Sequence, residues 1–307
     1  MWFYVNGRFV EESEATVPVT DRSFLYGDGC FEGIGACDGR LLHLDDHVAR
    51  LVRSARMIRI EMPITASRLR DLILETAARN DMATAPMGYL RPVLSRGSGP
   101  LGLRFSQRLG PATLVIIPQL GARRVAYRGP IETLTAAVST YTVPPSSSLD
   151  PRIKSNNYLS HVMAFLDAAD RGADVAIMRD AAGRVCEGHG MNVFCVRDGR
   201  LLTPPEDAGL AGITRHHVLA TALGLGVPCL EASLTTYDLY TADEIFVTSS
   251  LEAVTAISSI DGQAVGASAP GPVTSAVREA YVRLALETGT EIPVFAQVNG
   301  PQKGVIR

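Results

Sequence analysis

The chain opens with short alternating runs of apolar and polar residues and then shifts to a longer period. Residues 2–5 and 8–10 read as strands joined at Asn6-Gly7, a strong two-residue hairpin signal. Asp38-Gly39 repeats that signal between Phe31–Cys37 and Arg40–Leu42. Near Asp45 the spacing becomes helical: Leu44, Val48, Leu51, Ala55 and Ile58 recur at intervals of four and three, one apolar face. Thr65 is a good N-cap for a second helix that turns Leu69, Leu72, Ile73 and Ala77 inward. Tyr89–Leu94 and Ala112–Pro118 return to strand, so residues 1–118 predict an α+β unit with a largely antiparallel sheet. Residues 119–130 carry Gly121, Arg123, Arg124, Arg128, Gly129 and Pro130, break the pattern and read as a linker.

Residues 131–307 form the second, larger unit. A strand over Ile131–Ser139 leads into a Pro/Ser-rich loop, Val143–Pro151, and then a helix with Leu159, Val162, Met163, Leu166 and Ala169 on one face. Short strands follow at Val175–Arg179, Met191–Arg197 and Leu201–Thr203, with a helix from Thr214. Further strands are predicted at 228–232, 244–249 and 253–260, and Val273, Val277, Tyr281 and Leu284 mark a closing helix.

Composition narrows the function classes. Hydrophobic residues make up 46% and charged residues 20%, ordinary for a globular enzyme-sized chain of 307 residues. A net charge of −3, with no basic run beyond Arg123-Arg124, argues against a nucleic-acid partner. No apolar run approaches a membrane span and the N-terminus lacks a signal-peptide pattern, so a cytoplasmic protein with no membrane partner is expected. Cys30, Cys37, Cys186, Cys195 and Cys229 form no Cys-x-x-Cys pair and fit reduced, buried thiols. His43 and His47 sit four apart without a metal-binding carboxylate signature, and adjacent His216 and His217 cannot share a helix face, so no metal is expected.

The Lys/Arg balance is uneven. Of 29 basic residues only Lys154 and Lys303 are lysine. Arginine stays protonated, whereas a desolvated lysine can lose its proton and become a nucleophile. Lys303 follows an Asn-Gly-Pro turn near a C-terminus expected to fray, which leaves Lys154 as the candidate reactive amine, against the alternative of a surface lysine. Four further features have a bland and a sharp reading. Glu187, amid Gly and apolar residues just before a strand, is a solvated turn residue or a carboxylate for a cationic heterocycle. Gly212-Ile-Thr-Arg215 opens a helix, by Thr capping or as a phosphate cradle. Thr248-Ser-Ser250 is a polar strand end or an anion site. Arg50, on the far side of its helix from the apolar stripe, is a solvated charge or a phosphate clamp. Tyr158 follows Lys154 by four residues and would face the same way if a helix began that early. A reactive lysine, an acid for a ring nitrogen, a phenol and three phosphate holders together describe a site for pyridoxal 5′-phosphate.

Leu25-Tyr-Gly-Asp-Gly-Cys-Phe-Glu-Gly-Ile34, His47-Val-Ala-Arg-Leu51, Tyr89-Leu-Arg91, Lys154-Ser-Asn-Asn-Tyr158, Glu187-Gly-His-Gly-Met-Asn-Val-Phe194, Gly212-Ile-Thr-Arg215, Asp238-Leu-Tyr-Thr-Ala-Asp-Glu244 and Phe246-Val-Thr-Ser-Ser250 run along nearly the whole chain. In these segments it resembles the class IV (fold-type IV) pyridoxal-phosphate aminotransferases. That family includes branched-chain, D-amino acid and (R)-amine aminotransferases and aminodeoxychorismate lyase. The resemblance implies a small α/β sandwich-like domain, a larger β-barrel-like domain with flanking helices, and a homodimer or higher homo-oligomer. It gives Lys154 the Schiff base, Glu187 the pyridine nitrogen and Tyr158 the ring O3′. Arg50, Asn192, Ile213, Thr214, Ser249 and Ser250 would complete the cofactor site, and Tyr26, Phe31, Tyr89 and Arg91 the substrate pocket. The implied reaction moves an amino group between branched-chain L-amino acids and a keto acid such as 2-oxoglutarate. Two departures bear on substrate: Gly35 stands where the branched-chain enzymes typically carry arginine, and Ser249-Ser-Leu-Glu252 replaces their Gly-Thr-Ala-Ala. These keep open D-amino acid or (R)-amine transamination, the lyase, and a non-enzymatic scaffold.

Overall fold

A computed structural model describes residues 1–104, 109–121 and 127–294. Lys303, Arg123 and Arg124 lie outside the described residues, as does much of the expected linker. The chain begins with β1 (Trp2–Val5), β2 (Arg8–Glu11), α1 (Arg22–Tyr26), β3 (Gly29–Phe31), β4 (Ile34–Cys37) and β5 (Arg40–Leu41). It continues with α2 (Leu44–Met57), α3 (Ala66–Arg79), β6 (Met87–Ser95), β7 (Thr113–Leu120) and β8 (Thr133–Thr142). Then come α4 (Leu159–Asp170), β9 (Val175–Arg179), β10 (Val185–Gly188), β11 (Asn192–Arg197), β12 (Arg200–Thr203), α5 (Ile213–Gly224) and β13 (Cys229–Glu231). The last elements are α6 (Thr236–Tyr240), β14 (Glu244–Ser249), β15 (Ala253–Ile260), β16 (Gln263–Ala264), α7 (Pro272–Thr288) and β17 (Thr290–Glu291).

The strands form two sheets. The first runs β17-β5-β4-β6-β7-β1-β2, with β3 also on β6, and every pair in it is antiparallel. The second runs β10-β9-β8-β15-β14-β11-β12-β13, mixes parallel and antiparallel pairs, and curls into a half-barrel. The expected α+β class is what the fold shows. Both tight hairpins form as predicted, with Asn6, Gly7, Asp38 and Gly39 at positive φ. Thr65 caps α3 by accepting from the Arg68 N–H. The amphipathic stripes of α2 and α3 pack with Tyr4, Ile34, Leu90 and Ile116 into the first core.

Four differences from the sequence reading have physical causes. The strand expected over Phe31–Cys37 is interrupted at Glu32-Gly33. Its register against β6 does not change, since Phe31 faces Val93 and Ile34 faces Leu90. The gap lies opposite Pro92, which has no N–H to return to the ladder. Second, the apolar face of α4 points outward: Leu159, Val162, Phe165 and Leu166 are exposed, while Ala164 and Ala168 pack on β8 and β9. Small residues four apart let the helix approach the sheet closely. Third, residues 131–307 do not form one unit to their end. β17 joins the first sheet beside β5, and Ile292 is buried in the first core. Fourth, β7 continues through Gln119 and Leu120, so the break begins later than residue 119. Among the described residues no helix is long and apolar enough to cross a membrane.

Candidate active site

Strand alternation builds one wall of a cavity. On β3, β4 and β6, Cys30, Ile34, Leu90 and Leu94 face the first core. The residues between them, Phe31, Gly33, Tyr89, Arg91 and Val93, face a cavity of about 660 Å³. The opposite walls come from Lys154, Tyr158, His161, Glu187, Asn192, the start of α5 and Thr248–Leu251.

Lys154 reaches the cavity on a loop pinned to the first sheet. Its carbonyl accepts from the Phe31 N–H at 2.9 Å, and the Asn156 N–H donates to the Gly29 carbonyl at 3.0 Å. Nζ donates to the Tyr158 hydroxyl at 3.2 Å and lies 4.7 Å from the Phe31 ring centroid. Burial, helped by the Arg50 charge, pushes the Lys154 amine down to about 8. Tyr158 meets Lys154 by a different route from the helical one considered above. Helix α4 starts only at Leu159, and Tyr158 is its N-cap, brought back by the turn through Ser155–Asn157. Burial raises the Tyr158 phenol, so it stays protonated and neutral at physiological pH.

Glu187 lies within strand β10 and not in a turn before one. Its Oε2 accepts from the Leu210 N–H at 2.9 Å and its Oε1 pairs with His161 Nε2 at 3.1 Å. A Cβ on Gly209 would come 2.9 Å from Oε2, so the bare glycine lets this loop close over the carboxylate. Asn192 donates to the Leu210 carbonyl at 2.8 Å, and a Cβ on Gly212 would collide with its Oδ1. Helix α5 then begins at Ile213, with Thr214 buried beside it. The first N–H groups of a helix have no intrahelical acceptor and point outward, here at the cavity.

Arg50 is buried, not solvated. Its Nε and Nη2 donate to the two oxygens of Glu32 at 2.7 and 2.8 Å, and Nη1 donates to the Ala211 carbonyl at 2.8 Å. Glu32 is fully buried and also takes His47 Nδ1 at 2.7 Å. Burial alone would raise this carboxyl; the Arg50 charge and the hydrogen bonds from Arg50 and His47 hold it down at about 2. Burial lowers His47, keeping it neutral, and its Nε2 meets Ser250 Oγ at 3.3 Å. Ser249 lines the cavity and caps its own turn by accepting from the Glu252 N–H at 3.0 Å. Thr248 Oγ1 is buried in the cavity wall without a partner among the described residues.

On the opposite side Arg91 stands 4.8 Å from the Phe31 ring centroid and donates to the Tyr89 hydroxyl at 3.2 and 3.1 Å. Tyr26 does not join them. It ends α1, where its hydroxyl accepts from the Gly102 N–H at 2.8 Å, outside the cavity of this chain.

The sequence reading overlooked Glu32, His47 and His161. Each sits in or beside a quoted motif, but only the register against β6 and the packing of α2 and α4 show what they touch. All five cysteines are free. Among the described residues His43, Asp46 and His217 bring possible metal-ligand atoms within 4.8 Å. The two imidazoles stack at 3.9 Å and 15°, however, so their in-plane lone pairs run side by side without converging. Asp46 already accepts His217 Nε2 at 2.8 Å, and the set belongs to the seam between α2 and α5.

Comparison with known proteins gives one family. The model of the class IV amino-transferases matches residues 29–260. A branched-chain aminotransferase from Thermoproteus uzoniensis, solved with norvaline, shares 38% identity at a TM-score of 0.85, over 94% of this chain and 95% of that one. The branched-chain aminotransferase of Thermobaculum terrenum, solved in its PLP-bound holo-form, shares 28% at 0.85, over 93% and 94%. A D-alanine aminotransferase of Bacillus licheniformis shares 34% over 90% of this chain and 94% of its own length. With its amine, phenol, carboxylate and anion-binding wall gathered in one cavity, the chain belongs to the class IV aminotransferases.

Proposed function

We propose that the chain is a pyridoxal-phosphate-dependent aminotransferase that passes the amino group of a branched-chain L-amino acid to 2-oxoglutarate. The observation that carries this is the single cavity holding Lys154 Nζ, the Glu187 carboxylate and an anion-binding wall on three different sides. The residues fit the cofactor. Arg50, the first N–H groups of α5 and the Ser250 hydroxyl suit a phosphate, and the unpartnered Thr248 hydroxyl beside them needs an acceptor. Glu187 suits a ring nitrogen and Tyr158 a ring oxygen. When bound, the cofactor supplies the electron sink that lets a proton leave the substrate Cα.

The protein's own groups do the rest. Lys154 is the attachment point, and once an amino donor displaces it, the amine takes the proton from substrate Cα. An amine at about 8 is largely charged at neutral pH but has an accessible neutral form, as a general base needs. Tyr158 orients that amine through the 3.2 Å bond. Arg91 is the cation on the cavity wall facing away from Arg50 and suits the side-chain carboxylate of glutamate, while Phe31, Val93 and Ile117 offer an aliphatic chain apolar contact. The exposed apolar face of α4, which reaches the cavity rim at Val162, supports a homodimer through this face. We place the enzyme in the cytoplasm.

One observation favours a second reading, D-amino acid transamination. A Cβ at Gly35 would come 2.6 Å from the Ser250 carbonyl, so the arginine typical of branched-chain enzymes does not fit here without movement. A donor panel of L-leucine, L-valine, D-alanine, D-glutamate and an (R)-aryl amine, read from the cofactor absorbance, tests both. Bleaching by the L-donors, with turnover only when 2-oxoglutarate is present, is expected. Bleaching by D-alanine alone would replace the favoured substrate, and release of pyruvate from aminodeoxychorismate without any acceptor would make the enzyme a lyase. In Arg91→Gln the KM for 2-oxoglutarate should rise at least tenfold while that for leucine holds, since a charge-assisted hydrogen bond contributes about 1.5–3 kcal/mol.

A further inference from the structure

His161 has no part in the reaction described above, yet it touches the one carboxylate that would face the cofactor ring. It stands on the first turn of α4, where Nε2 meets Glu187 Oε1 at 3.1 Å and Nδ1 meets Ser160 Oγ at 3.3 Å. A carboxylate only accepts, so Nε2 carries the proton and Nδ1 is free to accept from the serine hydroxyl. The ring also stacks on Tyr158, with centroids 4.7 Å apart and planes at 30°, and its side chain is 14% exposed. Phenol and carboxylate, the two groups flanking the cofactor plane, are therefore joined through one imidazole.

We propose that His161 is a positioning residue that keeps the shared proton on the cofactor's ring nitrogen by holding Glu187 in its carboxylate form. This role rests on the function proposed above and adds a residue to it. Glu187 Oε2 has a backbone donor in Leu210, and Oε1 has His161. Each donor stabilises the charged carboxylate and makes it a poorer base. Removing the His161 donor leaves Leu210 alone, raises the basicity of Glu187 and draws the proton from the ring nitrogen to the carboxylate. A ring without that proton is a weaker electron sink, so Cα deprotonation slows while substrate binding does not change.

Two variants separate the hydrogen bond from the stacking. His161→Phe keeps an aromatic ring on Tyr158 and removes the donor. His161→Gln removes the ring and keeps an N–H. Each holoenzyme is loaded with pyridoxal phosphate labelled with nitrogen-15 in the ring, and the ring-nitrogen chemical shift is read beside kcat and KM. In the Phe variant the shift should move toward that of unprotonated pyridine and kcat should fall about tenfold, with KM within about twofold. The Gln variant should stay near wild type on all three. A Phe variant with the wild-type shift and kcat would overturn the proposal, and so would a Gln variant that falls as far as Phe. Wild-type histidine nitrogen spectra give a check independent of either variant folding: His161 must be the Nε2–H tautomer, and an Nδ1–H signal refutes the proposal. A wild-type protein that takes up no cofactor would instead sink the proposed function itself.

Discussion

Replacing Glu32 by glutamine should destabilise the protein more than its distance from the reacting amine suggests. The carboxylate is fully buried and receives three charge-assisted or buried bonds, from Arg50 Nε, Arg50 Nη2 and His47 Nδ1. Glutamine keeps the shape but turns an NH₂ group toward one of these donors, so Arg50 is left buried with an incomplete partner. Two routes give the magnitude. A carboxyl held at about 2 against an ordinary 4.5 corresponds to ~3 kcal/mol of stabilisation at neutral pH. Removing one partner of a buried ion pair typically costs about 3–5 kcal/mol. Together they set the expectation at roughly 3–4 kcal/mol in urea unfolding of the cofactor-free protein at pH 7. The pH dependence follows from the direction of the shift. A depressed carboxyl contributes fully above its unfolded value of 4.5 and loses that contribution as pH falls toward about 2. The gap between wild type and variant should therefore be flat from pH 7 to 5 and narrow below that. A gap under ~1 kcal/mol at pH 7 would refute the assignment of Glu32 as a buried, charged partner. So would a gap that stays constant down to pH 3.

Two further outcomes follow from the same geometry. The depressed Lys154 amine makes that residue a local cost in the cofactor-free protein, full below about 8 and gone above 10.5. Discounted for water in the cavity and for the lost bond to Tyr158, Lys154→Met should raise stability by ~1–2 kcal/mol at pH 7. That gain should vanish by pH 10.5, the variant should resist borohydride labelling, and lower stability at pH 7 would contradict the depressed amine. Gly212→Ala forces a Cβ into Asn192 at the start of α5, and the cofactor's dissociation constant should rise at least about tenfold while circular dichroism is unchanged. Wild-type affinity in that variant would remove α5 from the phosphate wall.

What could be read from the sequence was what depends on local pattern. The α2 and α3 stripes, both Asx-Gly hairpins and Thr65 as a cap were all visible because neighbouring residues determine them. Lys154 stood out because the chain otherwise uses arginine, a compositional signal independent of fold. Arg50 was placed on the right side of its helix, but that side faces Glu32 across 18 residues and not water. Pairing at that range depends on register, which no local window contains. The α4 face was assigned to the wrong environment for a related reason. Two alanines buried four apart are a weaker hydrophobic signal than the leucines and valine opposite, although the alanines touch the sheet. Glu187 and His161 meet because β10 and the first turn of α4 lie side by side across 26 residues.

The two-residue strand β17 has a consequence for how the protein is made. Gly39, Arg40 and Leu41 wait for Gly289–Ile292: Thr290 pairs with Leu41, Arg40 donates to the Gly289 carbonyl and to Glu291, and the Ile292 N–H donates to the Gly39 carbonyl. The half synthesised first thus cannot complete its sheet until nearly the whole described chain has left the ribosome. Until then β5 is an open edge, able to pair with a neighbouring nascent chain. Translation that stops after α7, or a protease cut at residue 289, would leave that edge uncovered, so aggregation during synthesis is a hazard written into the chain order itself.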